Sequence, residues 1–208
     1  MKIFGLDTTR KNAKVVIYDN ESGYKSCITV DENVKHSEGL FLYIEKILFE
    51  SKLKITDFDA FASIVGPGSF TGIRVGMSTI KGFNKVAKKD VFAINMFEMI
   101  APSCKNSVVL LNSTATSCYY ATIKNKSIID TGVVAKTDLI NQFSGLEWVV
   151  LKEEQNMIDL EYNNIRTIDD IVEYFYAIID SKIESGNKGE FVPYYIQLSQ
   201  AERNLKNE

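Results

Sequence analysis

Short apolar runs separated by polar turns open the chain. Residues 3–6 form the first run, closed by Asp7-Thr8-Thr9; residues 13–18 form a second, and residues 24–30 a third. Runs of this length and spacing predict an antiparallel meander of three strands. Over residues 37–53 the period changes, because Leu40, Ile44, Ile47, Leu48 and Ser51 fall at helical spacing. Residues 57–65 end in Phe61-Ala62-Ser63-Ile64-Val65, a buried strand by composition, and Gly66-Pro67-Gly68 breaks it sharply. A helix is then predicted over residues 69–88, with Ser69 as its N-cap.

The pattern restarts near residue 100. Residues 108–111 are apolar and closed by Asn112-Ser113-Thr114, followed by strands at 118–123 and 127–134. This repeats the opening order of strand, polar turn, strand, strand, and predicts an internal duplication. The division is expected at residues 101–105, with one unit over 1–102 and a second over 103–208. Residues 148–151 read as a further strand. Residues 168–183 read as a helix whose apolar face is Ile168, Ile171, Val172, Phe175, Ile178 and Ile179. A last strand-like run covers 191–198.

The single histidine among 208 residues removes whole classes of chemistry. No paired-histidine metal site can be assembled within the chain, and a Ser–His–Asp triad survives only if His36 serves it. Cys27, Cys104 and Cys118 form no C-x-x-C pair, so reduced thiols are expected rather than a disulfide framework. Twenty-four basic against 27 acidic side chains give a net charge of −3, which argues against independent nucleic-acid binding. No apolar run approaches the ~18–20 residues of a membrane span, and Asp7 arrives too early for a signal peptide. The expectation is a cytoplasmic, metal-free protein.

The segment Gly66-Pro67-Gly68-Ser69-Phe70-Thr71-Gly72-Ile73-Arg74-Val75-Gly76 joins a strand to a helix, where amides and the helix dipole can hold an anion. It lacks the Gly-Lys-Ser/Thr of a P-loop, the third glycine of a dinucleotide fingerprint and the glycine before a nucleophilic serine. The competing reading is a tight turn with close helix packing. Gly72 and Gly76, one turn apart beside Ile73, Met77 and Ile80, make a strip for close helix approach, inside the fold or toward a partner. Asp7, Thr8 and Thr9, with Gly66, Gly68 and Ser69, form a candidate phosphate site. A local turn bonded through the same side chains is the alternative. At the matching turn of the second unit, Asn112 brings no carboxylate.

The eleven-residue loop–helix segment resembles the signature of the TsaB (YeaZ-type) family. So do Leu6-Asp7-Thr8-Thr9, His36-Ser37, Pro193-Tyr194-Tyr195-Ile196 and Ser199-Gln200-Ala201-Glu202-Arg203. The resemblance implies an α/β fold of the actin/Hsp70/sugar-kinase-like (ASKHA) type, two duplicated units with mixed sheets. It also implies a non-catalytic subunit that binds a TsaD-type subunit in threonylcarbamoyladenosine modification of tRNA. A TsaE-type ATPase joins, tRNA is met indirectly, no cofactor is resident, and the chain alone is expected to form a homodimer. TsaD-type proteins build a metal site on His-x-x-x-His, which one histidine cannot supply. Partner binding would fall on Leu40, Tyr43, Ile44 and Ile47 of the first helix. On the second it would fall on Gly72, Ile73, Arg74, Gly76, Met77 and Ile80, with Gly76→Leu expected to block docking and spare the fold. Where the family often shows Asp-Ala-Arg-x-Gly-Glu-Val-Tyr, this chain has Asn112-Ser113-Thr114-Ala115-Thr116-Ser117-Cys118-Tyr119 and keeps only the tyrosine. An ATP–magnesium role is therefore in doubt, and the second unit is expected to be trimmed. The alternatives are an ATP-dependent phosphotransferase using Asp7, Thr8 and Thr9, or a peptidase-like hydrolase.

Overall fold

A computed structural model describes residues 1–30, 36–158 and 162–197, with the side chains of residues 36–38 also outside the description. The three-stranded meander is present as β1 (Lys2–Asp7), β2 (Lys14–Asp19) and β3 (Tyr24–Thr29). Then follow α1 (His36–Ser51), β4 (Ala60–Gly66), α2 (Phe70–Ala87), β5 (Asp90–Asn95) and α3 (Met96–Ile100). The pattern repeats as β6 (Asn106–Asn112), β7 (Ser117–Lys124), β8 (Ser127–Ala135), α4 (Leu139–Phe143) and β9 (Glu147–Leu151). The chain continues with α5 (Gln155–Ile158), β10 (Ile165–Ile168) and α6 (Val172–Ser185).

The duplication is written in the strand order. The first sheet runs β3-β2-β1-β4-β5, and the second, taken from its other edge, β8-β7-β6-β9-β10. In each, an antiparallel meander is extended by two strands parallel to its first member. Both sheets are therefore mixed, and the architecture is the duplicated α/β arrangement expected of the actin-like class.

The compact units divide differently from the expected 1–102 and 103–208. One comprises Met1–Asn95 with Phe175–Tyr194, the other Met96–Tyr174 with Tyr195–Glu208. The reason is α6, which packs on the first sheet. The Phe175 ring reaches within 2.5 Å of where a Cβ on Gly5 would stand. Tyr176 lies 4.9 Å from the Tyr18 ring, and Tyr18 donates its hydroxyl to Asp180 at 2.7 Å. On the opposite face, alternate residues Phe4, Leu6, Val15 and Ile17 meet Leu40, Ile44 and Ile47 of α1 and Ile80 of α2. After α6 the chain forms an extended strap, not a strand: Ala93 donates to the Lys188 carbonyl and Tyr194 donates to the Val65 carbonyl, both at 2.8 Å.

In the second unit the short α4 and α5 stand where the first unit has long helices. Trp148 is fully buried, donates its indole N–H to the Phe143 carbonyl at 3.1 Å and stacks on Tyr162 at 4.0 Å. Cys118 shares this core. Burial pushes its thiol from the ordinary 9.0 up to about 11. The unfolded chain thus releases the proton first, so stability falls as pH climbs from 9 toward 11. At pH near 8, alkylation of Cys118 should keep pace with global unfolding; fast labelling of the folded chain would contradict this placement.

Candidate functional site

The turn after β1 and the loop after β4 interlock. Asp7 is 1% exposed, and its Oδ1 accepts both the backbone N–H of Thr9 at 2.9 Å and the Thr9 hydroxyl at 2.7 Å. Thr8 donates its hydroxyl to the Gly72 carbonyl at 2.6 Å, and Arg10 donates to the Pro67 carbonyl at 3.2 Å. Ser69 donates its N–H to the Thr9 carbonyl at 3.0 Å, while its hydroxyl accepts the N–H of Gly72 and caps α2 as expected. The Ile73 N–H is spent on the Ser69 carbonyl.

Each motif glycine admits an oxygen of the chain itself. A Cβ on Gly72 would lie 1.9 Å from the Thr8 carbonyl oxygen, and one on Gly68 would lie 2.6 Å from that of Thr9. Gly76 faces the Thr8 hydroxyl at 2.3 Å. Gly66, at φ +131°, faces the Tyr194 carbonyl oxygen at 2.4 Å. An anion needs N–H groups turned toward it; here the Ser69, Gly72 and Ile73 N–H groups are used internally, and carbonyl oxygens crowd Gly66, Gly68 and Gly72. Thr9 and Ser69 use their hydroxyls within their own turns, which fits the turn reading there, whereas Thr8 spends its hydroxyl across the fold on the Gly72 carbonyl. The Asp7 Oδ2 atom is buried without a hydrogen-bond partner, yet one carboxylate oxygen is a thin donor set for a magnesium–phosphate group. The residues here do not fit ATP–magnesium, and no step is derived through it.

The second unit's turn does acquire a carboxylate, which the sequence did not single out. Glu154, just before α5, is buried and its Oε2 accepts the Asn112 N–H at 2.7 Å. Gln197 donates to the Ser113 hydroxyl at 2.8 Å and the Tyr119 hydroxyl at 3.2 Å, so the retained tyrosine anchors the C-terminal segment. The charged run around Glu154 carried no signal that it would fold under β6.

Most of the residues expected to bind a partner are interior. Leu40, Ile44, Ile47 and Ile80 belong to the core of the first unit; Ile73 and Met77 pack with Val65 and Ala93 beneath Phe191 and Tyr194. Gly72 and Gly76 are buried against the Thr8 turn, so a leucine at Gly76 would strike the fold first. Tyr43 is half-buried and Arg74 is exposed. The correction is physical: the regular stripe of an amphipathic helix faces its own core, and the opposite side of each helix is exposed. There α1 exposes Phe41, Leu42 and Phe49, the last 85% exposed, and α2 exposes Val86 at 75%. Residues 70–89 contain Arg74, Lys81, Lys85, Lys88 and Lys89 and no acid. His36 has its backbone in α1, but its side chain, and Ser199-Gln200-Ala201-Glu202-Arg203, lie outside the described residues.

Residues 32–188 match the family model described as TsaD: tRNA N6-adenosine threonylcarbamoyltransferase. A Buchnera aphidicola protein named tRNA threonylcarbamoyladenosine biosynthesis protein TsaB is 25% identical over 154 residues, covering 70% of each chain. A tRNA N6-adenosine threonylcarbamoyltransferase of Rhizobium etli is 34% identical over 80 residues, which are 38% of this chain and 22% of that protein. The chain thus spans about a fifth of the length of that transferase. The solved structure of YeaZ from Pseudomonas aeruginosa superposes with a TM-score of 0.71 at 14% identity, over 93% of this chain and 99% of that one. Among the described residues no helix is long and apolar enough to cross a membrane.

Proposed function

The chain belongs to the TsaD family, and we propose that within it this protein is a non-catalytic, TsaB-like subunit that binds a TsaD-type subunit in threonylcarbamoyladenosine modification of tRNA. The observation that carries the reading is the outward face of α1 and α2, where Phe41, Leu42, Phe49 and Val86 stay exposed beside an acid-free stretch of α2. Exposed apolar groups with a charged rim mark a protein–protein surface; opposite the basic stretch of α2 the partner should be acidic, while α1 adds exposed Glu45 and Glu50 to the rim. The interlocked glycine loop supports the same role, since it braces α2 and leaves few groups for catalysis. A TsaE-type ATPase and tRNA would be met through this complex, in the cytoplasm, without a cofactor held by this chain. In the absence of TsaD the same face would serve a homodimer.

Reconstitution tests it. The chain alone should make no modified tRNA, and the TsaD-type subunit with its other components should need the chain for product. Product formed at full rate without it would overturn the proposal. The orphaned Asp7 Oδ2 is the single observation on the side of a phosphotransferase, and it is outweighed because the hydroxyls of Thr8, Thr9 and Ser69 are already engaged by the chain itself.

A further inference from the structure

One end of the second sheet holds a groove of about 360 Å³ lined by Lys105, Asn106, Ser107, Lys124, Asn125 and Glu147. Its walls are fixed by backbone pairing. Asn106 lies opposite Lys124 across β6 and β7, and Asn125 donates its N–H to the Lys105 carbonyl at 2.7 Å. This places two lysines on neighbouring segments, and Lys126 follows in the tight β7–β8 turn, where Asn125 and Lys126 both take positive φ (50° and 67°). Lysine lacks glycine's ease in that region, yet a cation stands there.

The three lysines are exposed, and none has an ion pair among the described residues. The groove's one acid is already engaged at both oxygens: Glu147 Oε2 accepts the Ser107 hydroxyl at 2.8 Å, and Oε1 pairs with Arg166 at 3.3 Å. Arg166 therefore offsets Glu147, and Lys105 and Lys124 are left as neighbouring like charges. Like charges held together repel, and a bound anion relieves them.

We propose that this groove binds phosphate, and that its occupant is the phosphodiester backbone of RNA. An open groove edged by lysines on a projecting turn suits a chain of diesters better than one enclosed ion, and side-chain amides of Asn106 and Asn125 add donors of the kind that contact phosphate oxygens. The choice of RNA rests on the tRNA reading above; the phosphate site does not. The net charge of −3 keeps the affinity low and makes it depend on salt.

The test titrates the full chain with a labelled RNA stem-loop and, separately, with inorganic pyrophosphate. The wild type is compared with the triple variant Lys105→Gln, Lys124→Gln, Lys126→Gln, whose fold is checked by its melting temperature. Three phosphate contacts predict a log–log salt slope of roughly −2 in the loop to −2.7 in the stem, hence about a 20- to 40-fold weakening over a fourfold rise in salt. The variant should bind RNA at least about tenfold more weakly and lose most of that slope. Equal binding of RNA and of pyrophosphate by both proteins would overturn the site. Lysine-dependent binding of pyrophosphate without RNA would keep the phosphate site and overturn the RNA assignment. Binding of the TsaD-type subunit should be unchanged in the variant. If the wild type fails to bind that subunit while its RNA binding still depends on the lysines, the complex reading falls and the groove stands.

Discussion

A Gly72→Val protein should be strongly destabilised, whatever happens to its partners. The new Cβ would stand 1.9 Å from the Thr8 carbonyl oxygen and 2.9 Å from the Thr8 carbonyl carbon. These are backbone atoms at the end of β1, held by a hydrogen bond from the Thr8 hydroxyl to the Gly72 carbonyl, so no side chain can swing aside. Overpacking that forces backbone to shift costs about 3 kcal/mol or more, a large part of a total stability of about 5–15 kcal/mol. For a chain of this size the melting temperature should drop by roughly 10 °C or unfolding should be complete at the outset. Gly82→Ala is the control: nothing lies within 4 Å of its Cβ position, and the exchange should raise helix stability by about 0.5–1 kcal/mol. Circular dichroism melts of the two variants decide it. A Gly72→Val protein melting within about 2 °C of wild type would mean that α2 does not sit against the Thr8 turn.

The second large effect concerns association. Leu42→Glu with Phe49→Glu should weaken binding to a TsaD-type subunit by more than about 100-fold, since central apolar anchors each contribute about 2 kcal/mol or more. Both side chains are exposed in the monomer, Leu42 at 66% and Phe49 at 85%, so its melting temperature should hold or rise. Titration calorimetry with the purified subunit reads the first quantity and a thermal melt the second. A dissociation constant within threefold of wild type would remove α1 from the interface. The basic face of α2 adds a finer expectation: Lys81→Glu and Lys85→Glu should slow association most at low salt.

Much of this fold could be read before any coordinates. The meander, both long helices of the first unit, the Ser69 cap and the repeat at residue 106 all follow from periodicity and turn chemistry, which act locally. β10 escaped because Ile165–Ile168 is short, and β5 because Asp90–Asn95 lacks alternation; both gain their identity from pairing, with β9 and β4. Ile168 ends β10 for that reason, and α6 begins at Val172, whose N–H bonds Asp170 at 3.0 Å. The site was misread in one instructive way. Leu40, Ile44 and Ile47 stood out because they repeat regularly, and regularity is the mark of a core-facing stripe. Phe41, Leu42 and Phe49 break that stripe, so their meaning emerges only once the core is seen to be complete without them. The glycines were assigned their freedom correctly, but what they make room for, the carbonyls of Thr8, Thr9 and Tyr194, comes from segments distant in sequence.

The joining of Phe175–Tyr194 to the first unit also fixes a timetable for synthesis. Residues 1–95 carry both faces of the first sheet, yet the ring that fills the hollow over Gly5 belongs to Phe175, which is made 80 residues after Asn95. At 5–20 residues per second that interval is about 4–16 s. Throughout it the nascent sheet has α1 and α2 on one side and the α6 side bare. A chaperone that shields flat apolar surface would meet this chain during that interval, and release from it would coincide with the arrival of α6.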